Sequence, residues 1–338
     1  MSILLTGGLG YIGSHTAVAL CKSGHQVVIY DDLSNSKVEV VKSIEKLTGI
    51  KIIFVKGSIL DFDTFQTVLR DNNVDTVIHF AGLKAVADSV IYPIDYYEVN
   101  VGGAINVIKA MKEEQIKKFI FSSSATVYGT PIFLPINENH RKKAINPYGQ
   151  TKLQIESILE DLARSDSSWR IACLRYFNPV GSHSSCLIGE NPIDIPNNLM
   201  PRIVRVASGL EKELLVFGDD YPTADGTCER DYVHVEDLAD GHLAALNNLG
   251  KQEQPLECFN LGTGQSCSVL ELISAFENVT DLKVPKAISN RRSGDAATCY
   301  ADVKKSREIL NWEAKKSINE MCLSSWEYQN FIINKRLL

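Results

Sequence analysis

The chain has 338 residues, of which 44% are hydrophobic and 22% charged, and its formal net charge is −6. The composition is that of an ordinary globular protein, and the negative charge argues against nucleic acid as a partner, because a duplex binder needs a basic face. No apolar run approaches the ~18 residues of a membrane span, and the first predicted strand starts too early to leave room for a signal peptide. The eight cysteines form no C-x-x-C pair, so we expect reduced thiols, no metal site and a cytoplasmic protein. Because no apolar run is long enough, we also expect no membrane as a partner.

The first half of the chain alternates short apolar runs with amphipathic stretches. We predict strands at residues 3–5, 26–30, 52–56, 76–80, 118–122 and 170–175. We predict helices at residues 14–23, 37–47, 63–71, 96–113 and 148–164. This alternation indicates an α/β fold, a doubly wound parallel sheet with helices on both faces, and the strands lack polar alternation, as strands covered on both faces should.

A change in composition and in the length of the predicted elements near residue 178 suggests a second, smaller unit. Glycine, proline and asparagine become frequent there, and shorter elements with longer loops follow. We expect a dinucleotide-binding domain over residues 1–178 and a smaller C-terminal α/β lobe for the substrate over residues 179–338. Residues from about 230 to 264 are expected to return to the first domain.

A glycine-rich turn follows the first predicted strand and opens the first predicted helix. Residues 5–13 read LTGGLGYIG. Glycines at these positions let the main chain turn tightly and approach a pyrophosphate at the helix N-terminus. The acidic pair Asp31-Asp32 ends the second strand, where a carboxylate binds a ribose and disfavours a 2′-phosphate. The pattern predicts a Rossmann-type site that prefers NAD to NADP.

Small residues also follow the fourth predicted strand, where residues 79–84 read HFAGLK. The carboxyl end of such a strand lies beside the cofactor, so small residues let the chain pass close to it. Lys84 could reach the cofactor ribose or a phosphate. We expect His79 to be a core histidine and not a catalyst.

A serine-rich strand end and a Tyr/Lys pair form the candidate catalytic group. Residues 122–126 read SSSAT at the end of the fifth strand, and Tyr148 and Lys152 are spaced to share one helix face. A nearby ammonium favours the phenolate, so we predict a lowered pKa for Tyr148, which would let it act as base and acid. Ser124 could orient the reacting hydroxyl, with help from Thr126.

These motifs in this order resemble the extended short-chain dehydrogenase/reductase family. The resemblance is carried by residues 6–13, 121–129, 148–152 and 175–179. Further blocks make the chain most similar to the UDP-glucose/UDP-galactose 4-epimerases of that family, at residues 35–37, 76–86, 174–181, 195–201 and 231–241. The similarity extends over nearly the whole chain and implies an isomerase that commonly forms a homodimer through a four-helix bundle.

The resemblance also implies a mechanism. Tyr148 removes the proton of the sugar 4-hydroxyl while the C4 hydride passes to NAD⁺, and Lys152 assists the tyrosine and holds the nicotinamide ribose. The resulting 4-keto sugar, tethered through UDP, turns over and receives the hydride on its other face. The cofactor regains its starting state, so no net redox change occurs.

Binding residues follow from the motifs together with the resemblance. The predicted cofactor-binding residues are Gly7, Gly10, Tyr11, Ile12, Gly13, Asp31, Asp32, Asn35, Ser36, Ser58, Ile59, Phe80, Ala81, Gly82, Lys84, Tyr148, Lys152 and Phe177. The predicted substrate-binding residues are Ser124, Thr126, Asn178, Asn198, Leu199, Val216, Phe217, Arg230, Arg292, Asp295 and Cys299. Arg230 and Arg292 suit diphosphate oxygens because a guanidinium offers a fixed fork of donors.

The sequence departs from the family pattern at a few positions. Ser58 stands where the family usually has an aspartate that binds the adenine amine, and Val99 stands where it usually has an asparagine, although Asn100 is kept. Both changes suggest looser NAD binding. Cys299 occupies the position that limits the room around the sugar C2 substituent, so we predict that N-acetylated UDP-hexoses are also substrates, unless neighbouring Tyr300 refills the space.

Three alternatives share the fold. A nucleotide-sugar 4,6-dehydratase needs an acid beside the catalytic serine and threonine, and residues 125–127 read ATV, which argues against it. A UDP-glucuronate 4-epimerase, or another enzyme of the family that modifies nucleotide sugars, stays open. A non-catalytic NAD-sensing regulator is the alternative of another class, and the retained Tyr148 and Lys152 argue against it.

Overall fold

The computed structural model describes residues 2–192, 196, 198–292 and 294–336. The block at residues 195–201 thus lies partly outside the described residues. The first half of the chain contains β1 (Ser2–Thr6), α1 (Tyr11–Lys22), β2 (Gln26–Asp31), α2 (Glu39–Thr48), β3 (Ile53–Lys56), α3 (Phe62–Asp71), β4 (Val74–His79), α4 (Val86–Ile91), α5 (Pro93–Tyr96), a π-helical turn (Tyr97–Gly102), α6 (Gly103–Glu113), β5 (Lys118–Ser124), a 3₁₀ turn (Ala125–Val127), α7 (Pro147–Ser165) and β6 (Arg170–Tyr176).

The second half has shorter strands and longer connections. It contains β7 (Asn178–Val180), α8 (Leu199–Ala207), β8 (Leu214–Phe217), β9 (Glu229–Arg230), β10 (Tyr232–His234), α9 (Val235–Leu249), β11 (Leu256–Leu261), β12 (Cys267–Ser268), α10 (Val269–Thr280), β13 (Lys286–Ser289), β14 (Thr298–Cys299), α11 (Lys304–Leu310) and α12 (Ile318–Arg336).

The main sheet of the described chain is parallel and has seven strands, in the order β11-β6-β5-β4-β1-β2-β3. The chain runs outward from β1 through β2 to β3 and then returns to β4 on the other side of β1. In sheets of this kind the strand order reverses between β1 and β4, and a crevice for ligands opens at their carboxyl ends. The predicted α/β class and Rossmann-type sheet are confirmed.

Two apolar layers cover the sheet, because successive strand residues point to opposite faces. Leu5 and Ile29 belong to the cluster under α1 and α9, and Leu4 and Val28 belong to the cluster under α3, α6 and α7. All four side chains are fully buried. This double covering explains the apolar strands without alternation, and it fixes the strand ends that carry the site.

The predicted helix over residues 96–113 is wrong in one respect, since it is interrupted by a π-helical turn at Tyr97–Gly102. The turn contains Asn100, which is buried and bonds the main chain of Leu83: its Oδ1 accepts from Leu83 N at 2.7 Å and its Nδ2 donates to Leu83 O at 3.0 Å. Single π-helical turns often occur at functional sites. Here Asn100 anchors the loop after β4, which contains predicted cofactor-binding residues.

The C-terminal elements form a smaller body with its own core. Small sheets pair β7 with β10, β8 with β13, and β9 with both β12 and β14. The core includes Phe276 of α10, whose ring lies edge-on to Trp326 of α12 at 6.0 Å. β11 lies in the main sheet beside β6. In the part of the chain that the structure describes, no helix has the length and apolar character needed to cross a membrane.

Candidate active site at the carboxyl edge of the main sheet

The glycine turn brings the start of α1 against the loop after β4. Gly7 has φ +65°, and a Cβ there would lie 2.8 Å from the main-chain N of Ala81. A Cβ on Gly13 would lie 2.6 Å from the Gly7 carbonyl oxygen, so both positions require glycine. Gly10 precedes α1. Within the described residues, no side chain caps the first N–H groups of this helix, and its first turn contains no acidic residue. The N–H groups of Tyr11 and Ile12 thus begin a helix suited to a phosphate.

Asp31 ends β2 beside this turn and is 6% exposed. Its Oδ2 accepts from Leu9 N at 3.0 Å, and its Oδ1 accepts from Leu33 N at 2.9 Å and from the Ser36 hydroxyl at 2.7 Å. A carboxylate accepts about four hydrogen bonds, and the described residues supply three of them, so one acceptor position remains for a ribose hydroxyl. Asp31 therefore also holds the turn and the loop that contains Asn35.

Asp32 lies in the same loop but points elsewhere. Its Oδ1 accepts a hydrogen bond of 2.9 Å from Ser34 N, which tightens the exit of the strand. This exposed carboxylate adds negative charge near Asp31, which would oppose a 2′-phosphate.

Two further predicted cofactor residues follow β3. The Ser58 carbonyl accepts from the buried Tyr30 hydroxyl at 3.0 Å, and the Ser58 hydroxyl accepts from Leu60 N at 3.2 Å. The side chain of Ile59 is buried in the core, close against Gly103 at the start of α6. Ile59 therefore faces a ligand through its main chain only.

The loop after β4 carries the next predicted residues. Phe80 N and Ala81 N both donate to Thr6 O, at 3.0 and 3.1 Å. Gly82 has φ +152° and contacts Asn100, which keeps the loop close to the sheet. His79 is buried and bonded through Nδ1 to the Thr6 hydroxyl at 2.7 Å, and burial lowers its pKa to about 3, as expected of a core histidine.

Lys84 lies in the same loop and makes an ion pair. Its Nζ is 3.2 Å from Oε1 of Glu190, a residue that the sequence did not single out. The Lys84 side chain is 49% exposed and the Glu190 side chain 9%. An acidic residue in an irregular loop carries no motif, so only the fold reveals this partner.

The catalytic group predicted from the sequence comes together between β5 and α7. Ser124 is the last residue of β5, and its hydroxyl oxygen accepts from Thr126 N at 3.2 Å and from the Thr126 hydroxyl at 2.9 Å. Tyr148 lies in the first turn of α7, and Asn146 caps that helix by accepting from Gly149 N at 2.8 Å. Lys152 follows one turn later on the same face.

The lysine does not bond the tyrosine hydroxyl directly. Its Nζ donates to the main-chain O of Ser122 at 2.8 Å and lies 5.0 Å from the ring centre of Phe121 and 5.9 Å from that of Tyr148. Lys152 is 5% exposed. Its position is therefore fixed by β5, and its charge lies beside the phenol.

The predicted lowering of the Tyr148 pKa is wrong for the chain without ligands. Burial raises the pKa of Tyr148, and a hydrogen bond with Ser124 only partly offsets this effect. Burial also lowers the pKa of Lys152 to about 8. Desolvation disfavours both charged forms. The spacing of residues in the sequence indicates which side chains lie close together, but it does not indicate how far they are shielded from water.

A buried ion pair holds α7 against the sheet behind these residues. Glu156, one turn after Lys152, accepts from Arg175 Nε at 2.9 Å and Nη2 at 2.8 Å, and from the Ser123 hydroxyl at 2.7 Å. Glu156 and Arg175 are almost fully buried. Such a bidentate pair fixes geometry, so β5, β6 and α7 hold the catalytic side chains in register.

The predicted diphosphate arginines lie together in the smaller body. Arg230 Nη2 is 3.4 Å from Oδ1 of Asp295, and Arg292 Nε is 3.0 Å from the other carboxylate oxygen. The Arg292 guanidinium also lies 4.9 Å from the ring centre of Phe217. One aspartate thus holds two guanidinium groups side by side, which gives a cationic site for phosphate oxygens.

The other predicted substrate-binding residues differ in their solvent exposure. Asn178 is exposed at the start of β7, and Asn198 and Leu199 form the start of α8. Asn198 Nδ2 donates to Glu190 Oε1 at 3.0 Å. Val216 is 1% exposed and belongs to the core, so only its main chain is available to a ligand.

Cys299 lies at the edge of a small apolar cluster that includes Phe177, Tyr128 and Val127. Its carbonyl accepts from Asp231 N at 3.1 Å, and burial raises the pKa of its thiol to about 11. Phe177 is 5% exposed and its N–H donates to Leu261 O at 3.1 Å. The thiol is therefore a small neutral group beside the predicted nicotinamide contact.

Comparisons with known proteins show the family of the chain. The model of the NAD dependent epimerase/dehydratase family matches residues 3–262. UDP-glucose 4-epimerase of Bacillus subtilis is 49% identical over 334 residues, which cover 99% of this chain and 98% of that protein.

Solved structures with the same fold carry ligands. A UDP-glucose-4-epimerase from Stenotrophomonas maltophila, with bound NAD and formylated UDP-arabinopyranose, has 46% identity, TM-score 0.97 and 99% coverage of each chain. The UDP-glucose 4-epimerase from Bifidobacterium longum in complex with NAD⁺ and UDP has 46% identity, TM-score 0.95 and 99% coverage of each chain. The family resemblance seen in the sequence is confirmed.

Proposed function

This chain belongs to the NAD dependent epimerase/dehydratase family, and on that premise we propose that it is an NAD-dependent isomerase that interconverts UDP-glucose and UDP-galactose. One observation carries the proposal. Ser124 at the end of β5 and the Tyr148–Lys152 pair of α7 lie together at the carboxyl edge of the sheet, which also carries the glycine turn. Acid–base groups therefore adjoin a dinucleotide site.

The residues at the glycine turn fit NAD. The α1 start has no side-chain cap among the described residues, Asp31 retains an acceptor position, and side chains at Gly7 or Gly13 would collide with the main chain. Bound NAD supplies a hydride acceptor and donor for the sugar C4. Lys84 and the first turn of α1 would hold its phosphates, and Asp31 its adenosine ribose.

Tyr148 is the group that exchanges the proton of the sugar 4-hydroxyl. Burial raises its pKa in the free chain, so its deprotonated form needs positive charge nearby. Lys152 provides one such charge from a position fixed by Ser122. Ser124, at the end of β5, would accept from or donate to the same sugar hydroxyl and so align it.

Inversion requires that the sugar turn while the nucleotide stays bound. Arg230 and Arg292, both paired with Asp295, give two adjacent guanidinium groups for the diphosphate. Phe217 beneath Arg292 provides an aromatic surface for the base. Binding through UDP alone leaves the hexose few fixed contacts, so either face of C4 can be presented.

The pocket also admits N-acetylated UDP-hexoses. Cys299 places a small neutral side chain at the position that the family uses to limit the C2 substituent. UDP-GlcNAc and UDP-GalNAc are therefore included as substrates beside UDP-glucose and UDP-galactose.

The working form is a homodimer in the cytoplasm. The segment from α4 to α5 exposes apolar side chains to an unusual degree: Val90, Ile91 and Ile94 are 64%, 66% and 73% exposed. Such a patch favours association with a second copy. The eight cysteines are free thiols, which suits a reducing compartment.

The test is turnover of UDP-glucose, UDP-galactose, UDP-GlcNAc and UDP-GalNAc by purified protein without added cofactor, with the epimers separated by chromatography. Interconversion of both pairs supports the whole proposal. Turnover of the plain sugars alone removes the N-acetylated substrates and keeps the epimerase. No turnover of any of them, even with NAD added, contradicts the proposed function.

A further inference from the structure

Glu190 joins a predicted cofactor residue to a predicted substrate residue. Its Oε1 accepts from Lys84 Nζ at 3.2 Å and from Asn198 Nδ2 at 3.0 Å. Lys84 belongs to the loop after β4, and Asn198 precedes α8 in the smaller body. The Glu190 side chain is 9% exposed, and one of its carboxylate oxygens thus connects side chains of both predicted ligand sites.

The position of Glu190 is fixed by its surroundings. Its neighbour Gly189 packs against the ring of Tyr328 on α12, so closely that a Cβ would collide with it. Glu190 and Tyr328 also line one small cavity together with Gly181. The main chain next to Glu190 is therefore held against α12, whereas the carboxylate is positioned by its bonds to Lys84 and Asn198.

The negative charge of Glu190 also acts on α1, the helix whose start is predicted to bind the cofactor phosphates. Tyr11, the first residue of α1, donates its hydroxyl to Gly181 O at 2.6 Å, and after burial the Glu190 charge is the next cause that raises the Tyr11 pKa. The carboxylate thus acts electrostatically on the helix start that receives the cofactor phosphates.

We propose that Glu190 couples the two sites, so that NAD and the UDP-sugar each strengthen binding of the other; this inference rests on the proposed function. The lysine ammonium has three N–H donors, and the asparagine amide has two N–H donors and a carbonyl oxygen that accepts hydrogen bonds. Lys84 and Asn198 can therefore each keep the bond to Glu190 and still bind a ligand. When NAD orders Lys84, the bond to Glu190 also restrains Glu190 and, through it, Asn198. Binding of the UDP-sugar then has a lower entropic cost, and the same holds when the UDP-sugar binds first.

Such coupling is reciprocal and is measured as a ratio of affinities. UDP is titrated calorimetrically into NAD-loaded and NAD-depleted protein, for the wild type and for the variants Glu190→Ala and Glu190→Gln. We expect NAD to tighten UDP binding by about 5-fold or more in the wild type, Glu190→Ala to bring the ratio near one, and Glu190→Gln, which keeps an acceptor oxygen, to restore part of it. Glu114→Gln is the matched control, because that glutamate pairs with Arg70 on the surface and should leave the ratio unchanged.

Steady-state kinetics give a second readout. Loss of a positioning residue should raise KM for UDP-galactose more than it lowers kcat. A wild-type ratio of one, or a ratio that neither Glu190 variant changes, overturns the inference while epimerase activity keeps the proposed function. Failure of the wild type to bind NAD and to turn over sugars would instead reject the proposed function. If Glu190→Ala does not fold, the comparison of Glu190→Gln with the wild type decides.

Discussion

Lys152 and Tyr148 lie one helical turn apart, with the lysine Nζ 5.9 Å from the tyrosine ring centre and bonded to Ser122 O at 2.8 Å. The ammonium is thus held beside the phenol by the sheet and not by the tyrosine itself. Lys152 is buried and Tyr148 is partly buried, and burial opposes the charged state of each. Under the proposed function, the positive charge of bound NAD⁺ would favour the deprotonated tyrosine.

Replacing the base should separate chemistry from binding. Tyr148→Phe is expected to lower kcat for UDP-galactose by about 100-fold or more, since positioned acid–base catalysis contributes at least that much. The variant should still release NAD on denaturation in wild-type amounts. Full activity of Tyr148→Phe would assign the base to another group.

The buried positive charge of Lys152 should lower the free energy of unfolding of the ligand-free protein. Its pKa falls from 10.5 to about 8 on folding, so between these values the unfolded chain binds the proton that the folded chain has released. Stability then rises with pH across that window, and below pH 8 the charge costs a few kcal/mol. Lys152→Met should therefore raise the melting temperature at pH 7 by about 2 °C or more, lose this advantage near pH 10, and turn over poorly. A lower melting temperature at pH 7 would show that the bond to Ser122 outweighs burial.

The width of the sugar pocket is tested at one position. Cys299→Tyr should abolish turnover of UDP-GalNAc, because a large ring would fill the space for the C2 substituent, while UDP-galactose keeps reacting. Cys299→Ala keeps the position small and should retain both activities. Chromatographic assays of all three proteins give the ratio of the two rates. An unchanged ratio in Cys299→Tyr would place the C2 group elsewhere.

The exposed apolar segment predicts the oligomeric state. Ile91→Glu combined with Ile94→Glu should convert a dimer into a monomer, since charges at two strongly exposed apolar sites oppose association. Analytical ultracentrifugation measures the change. Ile288→Glu is a suitable control, because Ile288 is 50% exposed on β13, outside this segment. A wild-type monomer, or a dimer that survives the double substitution, would contradict the proposed interface.

Much of this architecture follows from local sequence signals. Apolar runs and a glycine turn predict β1, β2 and α1 because their causes lie within a few residues. The π-helical turn at Asn100 does not follow from the local sequence pattern, and the partner of Asn100, the main chain of Leu83, lies in another loop. The raised pKa of Tyr148 and the ion pair between Glu190 and Lys84 do not follow from the sequence either, because burial and partners from remote segments arise only when the fold is complete.

The most direct test of the mechanism follows one hydrogen atom. UDP-galactose carrying deuterium at C4 is incubated with the protein in ordinary water, and the UDP-glucose formed is examined by mass spectrometry and NMR. If the C4 hydride is stored on the bound cofactor and returned, the product keeps its deuterium at C4. Loss of the label to water would contradict hydride storage and require exchange of the C4 hydrogen as a proton.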